Sequence, residues 1–231
     1  MTLTLYLHPL ASYCHKVLIA LYENGVPFEA RTVDFAEEEA RAALLGLWPL
    51  GKIPLLRDAD ADRIVPESSI IIEYVDQNYP GDSPLLPEDD AARLDARLWD
   101  RIFDYHVQSP MQSIVADRIR PPDRRDPTAA AEARAALATA YGLIERRMAG
   151  REWAAGDAFS IADCAAAPAL FYAGIIEPFP PGHPHLAAYF ERLVARRSVR
   201  RVLAEAEPYF HMFPFQEAIP ERFRALARTV T

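Results

Sequence analysis

The sequence has little of what several large classes of protein require. Cysteine is scarce: Cys14 and Cys164 are the only two. They are too few and too far apart for a disulfide framework, so the chain suits a reducing compartment. Positive charge is in deficit, with a formal net charge of −8, which argues against nucleic acid as a main partner because phosphate binding needs a basic face. The one basic concentration, Arg192, Arg196, Arg197, Arg200 and Arg201, reads as a solvated helix face. Long apolar runs are missing. The longest, Ile161–Ile176, contains Asp163 and Pro168 and falls short of the ~20 residues a membrane span needs. His8 and Pro9 stand where a signal peptide would have its apolar core, and no basic segment precedes them. A cytoplasmic protein without a secretory signal is therefore expected. No metal site is expected either.

What is present is a soluble globular composition, 51% hydrophobic and 25% charged, in 231 residues. That is enough chain for two small domains with real cores. Residues 2–8 alternate as a strand does, and residues 12–24 then adopt helical spacing, with Val17, Leu18, Leu21 and Tyr22 on one face. Further strands are expected at 28–33, 53–56 and 63–65, with helices at 37–46 and 68–78. A βαβ half followed by a ββα half implies a small mixed sheet with helices on both faces. Residues 80–88 are rich in proline, and strand signals stop there. Beyond them, 89–119, 127–149, 160–177 and 184–206 are helical by pattern. The organisation expected is an α/β domain at 1–80, a linker at 81–88 and an all-α helical bundle at 89–231 ending in an aromatic tail.

Two short segments carry most of the chemistry. The first is Tyr6-Leu-His-Pro-Leu-Ala-Ser-Tyr-Cys-His-Lys-Val17, a strand turning into a helix. The second runs from Gly51-Lys-Ile-Pro54 to Pro66-Glu-Ser-Ser-Ile70. With the Phe159-Ser-Ile-Ala-Asp163 capping box, they resemble the cytosolic glutathione transferase family, of the bacterial, theta-, zeta- or beta-like type. The resemblance covers nearly the whole chain. It implies a thioredoxin-like first domain, glutathione as co-substrate and a C₂ homodimer. It also implies a cis Ile53–Pro54 bond, with the Ile53 backbone offered to the peptide ligand as an added strand would be. Glu67 would hold the ammonium of the γ-glutamyl end and Ser68 its carboxylate, at a helix N-terminus suited to anions. Lys52 is a flexible cation for another carboxylate, or is simply solvated.

One departure from the family pattern stands out. The position that usually carries the activating Ser or Cys is Ala11. Ser12, one residue on, either donates to the glutathione thiolate or only caps the helix. Tyr6 is a weaker candidate. Cys14 matches the second cysteine of a glutaredoxin turn that has lost its first, and reads as a packed, inert thiol. His15 faces outward by spacing, where it either touches the tripeptide or is solvated. The resemblance places the second substrate against the first long helix of the bundle, which offers Phe103, His106 and Met111. The tail Pro208-Tyr-Phe-His-Met-Phe-Pro-Phe215 either walls that cleft or docks on the bundle. The function expected is conjugation of glutathione to a small hydrophobic electrophile, a detoxifying reaction. Two alternatives stay open: a glutathione-dependent thiol/disulfide reductase or lyase, and a non-catalytic glutathione- or partner-binding protein.

Overall fold

The computed structural model describes residues 2–81, 83–224 and 226. The expected domain ranges reach Met1, Asp82, Ala225 and 227–231, which lie outside the described residues. The chain divides into two compact units, Met1–Leu86 and Pro87–Thr231. The stretch read as a linker is divided between them: Leu85 and Leu86 are buried, with the Leu85 N–H donating to Asp76 Oδ1 at 2.9 Å, while the Pro87 and Glu88 carbonyls accept from Arg93.

The first unit is a four-stranded sheet in the order β2-β1-β3-β4, formed by β1 (Leu3–Leu7), β2 (Glu29–Thr32), β3 (Leu55–Asp58) and β4 (Arg63–Pro66). β1 runs parallel to β2 and antiparallel to β3, and β3 pairs antiparallel with β4. β1 is buried along its whole length, because a central strand covered on both faces has no solvent side for its alternate residues. On one face Tyr6, Val33, Leu44 and Leu55 form a core cluster with α2 (Glu38–Leu47). α1 (Ser12–Glu23) and α3 (Ser68–Asn78) pack against each other, with α3 also against β3 and β4. The β3–β4 turn is organised by Asp58, whose carboxylate accepts from the Tyr74 hydroxyl (2.7 Å), the Tyr79 hydroxyl and the amides of Asp60 and Ala61. Burial works to raise the Asp58 pKa, but these donors outweigh it and hold the carboxyl below its usual value.

The second unit is helical. α4 (Asp90–Ile102) continues through a π-helical segment, Phe103–Gln108, into α5 (Ser109–Ile119). The sequence pattern reads this as one uninterrupted helix. Pro110 supplies no amide and crowds the preceding turn, and the widened ladder, with the Ser109 N–H on the Asp104 carbonyl, is how the helix passes it. α6 (Pro127–Met148), α7 (Ile161–Ile176), α8 (Pro184–Ala195) and α9 (Arg197–Ala206) complete the set, so the stretch expected as one helix over 184–206 is two. α7 is buried on almost every side, and its alanines allow the close approach of α4, α5 and α8. Its capping box is present: Asp163 accepts from the Ser160 N–H (2.9 Å) and hydroxyl (3.1 Å), from the Ala154 N–H (2.9 Å) and from the Tyr189 hydroxyl (2.6 Å).

The aromatic tail docks on this unit. Phe210 stacks on Phe171 at 6.0 Å, Phe223 meets the same ring at 5.1 Å, and Phe213 meets Tyr172 at 5.2 Å. The arginine cluster is a solvated face in part: Arg197, Arg200 and Arg201 are exposed, while Arg192 and Arg196 are engaged by the fold. Arg192 donates to the carbonyls of Arg151 and Glu152, Arg196 lies over Trp153 and Phe159, and Arg201 pairs with Glu205.

Candidate functional site

Strand register brings the two chemical segments to one end of the sheet. Leu55 pairs with Tyr6 on one side and Pro66 on the other. The next residues outward are therefore Leu7 at the end of β1, Pro54 ahead of β3 and Glu67 after β4. Because β1 feeds α1 and β4 feeds α3, the first turns of both helices start at this same edge.

The start of α1 is bare of side-chain caps. Ala11 is the N-cap, extended at φ −81° and ψ 118°, and has no oxygen to offer. Ser12 is the first helical residue and is buried. The preceding turn is pinned from within. The Ala11 N–H donates to the His8 carbonyl (2.9 Å), the Leu10 N–H to His8 Nδ1 (3.2 Å), and the His15 ring nitrogen Nε2 bonds the Pro9 carbonyl. Cys14 is fully buried, and burial pushes its thiol up to about 12. The inert reading of that cysteine fits, since only a thiolate is nucleophilic.

At the second segment, Ile53–Pro54 is a cis peptide. Gly51 has φ 58°, a left-handed backbone that suits glycine on the approach to Pro54. Lys52 is exposed, and Ile53 packs on the edge of the Tyr6 cluster. Glu67, the N-cap of α3, stands at φ 68°, a conformation a non-glycine residue adopts only at a cost. Its carboxylate does not cap the helix, and the residue is exposed, while Ser68 behind it is buried.

Sequence comparison joins this geometry to known proteins. Residues 5–83 match the glutathione S-transferase N-terminal domain and residues 105–197 its C-terminal domain. The chain belongs to the glutathione S-transferase family. Glutathione S-transferase GstB of Escherichia coli is 28% identical over 191 residues, 81% of this chain and 91% of that protein. The glutathione S-transferase-like protein LUC7 of a Fusarium species is 30% identical over 192 residues, 81% of this chain and 86% of its own length. Among solved structures, a glutathione S-transferase of Methylobacterium radiotolerans in complex with glutathione sulfonate is 30% identical. It superimposes with a TM-score of 0.76 over 87% of this chain and 94% of that one. Glutathione is the co-substrate of the family, and the two-part α/β plus all-α fold is the family's.

Within this glutathione S-transferase fold, three expected site residues sit elsewhere than anticipated. His15 does not face outward. It is 1% exposed, and burial drives its pKa down to about 4 even though the Pro9 carbonyl opposes the shift. Spacing misleads here because α1 is covered nearly all round. Phe103 is fully buried between Trp99 (5.9 Å) and Tyr189 (6.4 Å), and Met111 is buried too, so both are core of the helical unit and have no surface for a substrate. His106 is exposed beside Tyr105. Tyr6 is buried on the α2 face with its hydroxyl 3.5 Å from Arg31 Nη1. Sequence reasoning did not connect Lys16 with Ser69. Both are buried, and Lys16 Nζ donates to Ser69 Oγ at 2.8 Å, joining α1 to the first turn of α3. No local pattern announces such a pair, which is 53 residues apart.

Proposed function

We propose that this protein conjugates the thiolate of glutathione to a small hydrophobic electrophile, through the residues gathered at this end of the sheet. The observation that carries the reading is the convergence of Ser12, Ile53–Pro54 and Glu67–Ser68 on one edge through strand register. The Ile53 backbone pairs with the extended tripeptide. The Glu67 carboxylate receives the γ-glutamyl ammonium, Ser68 with the amides of the first α3 turn receives its carboxylate, and Lys52 faces a further carboxylate. Pro54 fixes the backbone that presents Ile53. Ser12 and the amides at the start of α1 donate to the sulfur and favour its ionised form; the thiol proton leaves to solvent. The thiolate then forms the new S–C bond, and the leaving group departs with its electron pair.

The reductase alternative needs a reactive cysteine, and a Cys14 thiol raised to about 12 in the core is poorly suited to that role. The homodimer is part of the proposal. Leu94, Leu98 and Tyr105 are exposed along one stretch of the first helix of the second unit, an apolar stripe that a second copy would cover. The proposal includes a detoxifying role in the cytoplasm. His106, exposed on that helix, stays a candidate contact for the electrophile.

Calorimetric titration with glutathione tests the binding assignment. Glu67→Ala should weaken affinity at least about tenfold, the scale of a lost charge-assisted contact, and Ser12→Ala much less. Wild-type affinity in Glu67→Ala would sink the assignment.

A further inference from the structure

α1 closes on Asn24-Gly25, and the Asn24 side chain is loosely held there. Its oxygen Oδ1 is buried with no hydrogen-bond partner among the described residues, and its nitrogen Nδ2 reaches Asp76 Oδ1 only at 3.4 Å. Gly25 follows at φ 61°, the left-handed residue that ends a helix, with nothing within 4 Å of where a Cβ would stand. The Gly25 N–H meets the Tyr22 carbonyl at 3.4 Å, long for such a bond. Asparagine is a labile residue, and most so before glycine, whose nitrogen no side chain shields. The same asparagine is also a junction. A Cβ on Gly81 would sit 2.6 Å from the Asn24 carbonyl oxygen and 2.8 Å from its Cβ. Asp76 Oδ1 accepts the Leu85 N–H at 2.9 Å as well, so Asn24 and Asp76 tie the end of α1 to α3 and to the last residues of the first unit.

We propose that Asn24 is a deamidation site and that its conversion opens this latch. The Gly25 nitrogen attacks Asn24 Cγ and forms a C–N bond. The side-chain nitrogen leaves as ammonia, taking the proton of the Gly25 amide. Water then opens the succinimide at one of its two carbonyls and leaves aspartate or isoaspartate. Water has replaced ammonia, and nothing is oxidised or reduced. The new carboxylate faces Asp76 where a donor stood, so a weak hydrogen bond becomes a like-charge contact in a buried place. Isoaspartate also lengthens the backbone where Gly81 leaves no room. Asn78, the other asparagine, precedes Tyr79, and its Nδ2 donates to the Tyr74 carbonyl at 2.8 Å. It is held and shielded where Asn24 is not.

The test incubates the folded protein at mildly alkaline pH beside a synthetic peptide of residues 20–30, and follows Asn24 by peptide mass spectrometry. The protein must first break the Asp76 contact, which slows it about tenfold, the scale of one hydrogen bond. Half of Asn24 should therefore be converted after about ten half-lives of the peptide, with Asn78 intact. Asn24 still whole at that time would overturn the site. The latch is read by hydrogen exchange at the Leu85 amide. Asn24→Asp should speed it about tenfold, and adding Asp76→Asn, which exchanges donor and acceptor, should restore it. Unchanged exchange in Asn24→Asp, or no restoration, would overturn the latch. If Asn24→Asp does not fold, the double variant is read alone: exchange at the wild-type rate supports the latch, and faster exchange refutes it.

Discussion

At the start of α7, Ser160 and Asp163 close a capping box, and Tyr189 and the Ala154 amide complete the set around one carboxylate. At the starts of α1 and α3 the N-cap positions hold Ala11 and Glu67, and neither side chain accepts from its own helix. Helix ends leave amides that need acceptors. The helical unit satisfies this end of α7 internally and uses it to fix the fold. The sheet unit leaves two such ends without a side-chain cap on the same edge, where a peptide with two carboxylates and a thiolate fits their chemistry. A helix start closed by the chain serves the architecture, and the two left without a side-chain cap on one edge are where the proposed site is placed.

Breaking the closed end should have the largest effect. Asp163→Ala strands the Tyr189 hydroxyl and the Ala154 and Ser160 amides in the core. A loss of about 3 kcal/mol or more is expected, from several buried donors left without acceptors. Thermal or urea unfolding would register it, and glutathione affinity of the still-folded fraction should be unchanged. A mild effect would mean the box is ornamental.

The open end of α1 is held by a different device, and acid should expose it. His15 is neutral in the core with its pKa lowered to about 4, whereas the unfolded chain protonates it around the ordinary histidine value of about 6.5. Below that value the unfolded state binds the extra proton, so stability is complete above about pH 6.5 and falls as pH drops toward 4. The fall amounts to about 3 kcal/mol across that window, at 1.36 kcal/mol per pKa unit. Urea midpoints measured from pH 7 to 4 should show it, and His15→Gln should flatten the curve. A wild-type profile already flat between those values would contradict the buried, neutral His15. Asp58, held low by its donors, adds its own loss only at more acidic pH, as the medium reaches its folded pKa.

A smaller effect separates stability from function at the α3 end. Glu67→Gly removes a side chain from a left-handed backbone position and should stabilise the first unit by about 1 kcal/mol. The same change should weaken glutathione. A variant that gains stability and keeps full affinity would show that the strained conformation serves nothing.

Much of this was legible in the sequence. The alternation in β1, the Ile53–Pro54 position, the Ser68 helix start and the Ser160–Asp163 box each carry a local signature, and each lies where that signature points. What was not legible depends on packing at a distance. Helical spacing assigns His15 to solvent because it assumes one covered face, and α1 has nearly all of its surface covered. Phe103 and Met111 look equally apt for core or cleft by composition, and only the neighbours Trp99 and Tyr189 show Phe103 to be core. The pattern over 89–119 reads as one helix, and periodicity does not show the π-helical turn by which the chain passes Pro110. The tail has no helical rhythm, so its docking on Phe171 and Tyr172 could not be read from periodicity. The Lys16–Ser69 bond joins residues whose own segments say nothing of each other.

The most direct measurement follows the ultraviolet absorbance of the glutathione thiolate on the protein as a function of pH. If the uncapped starts of α1 and α3 form an activating site, the bound thiol should titrate at least about one unit below its free value near 8.5, despite Ala11. Glutathione that binds with its thiol pKa unshifted would contradict a transferase site and leave only a binding one.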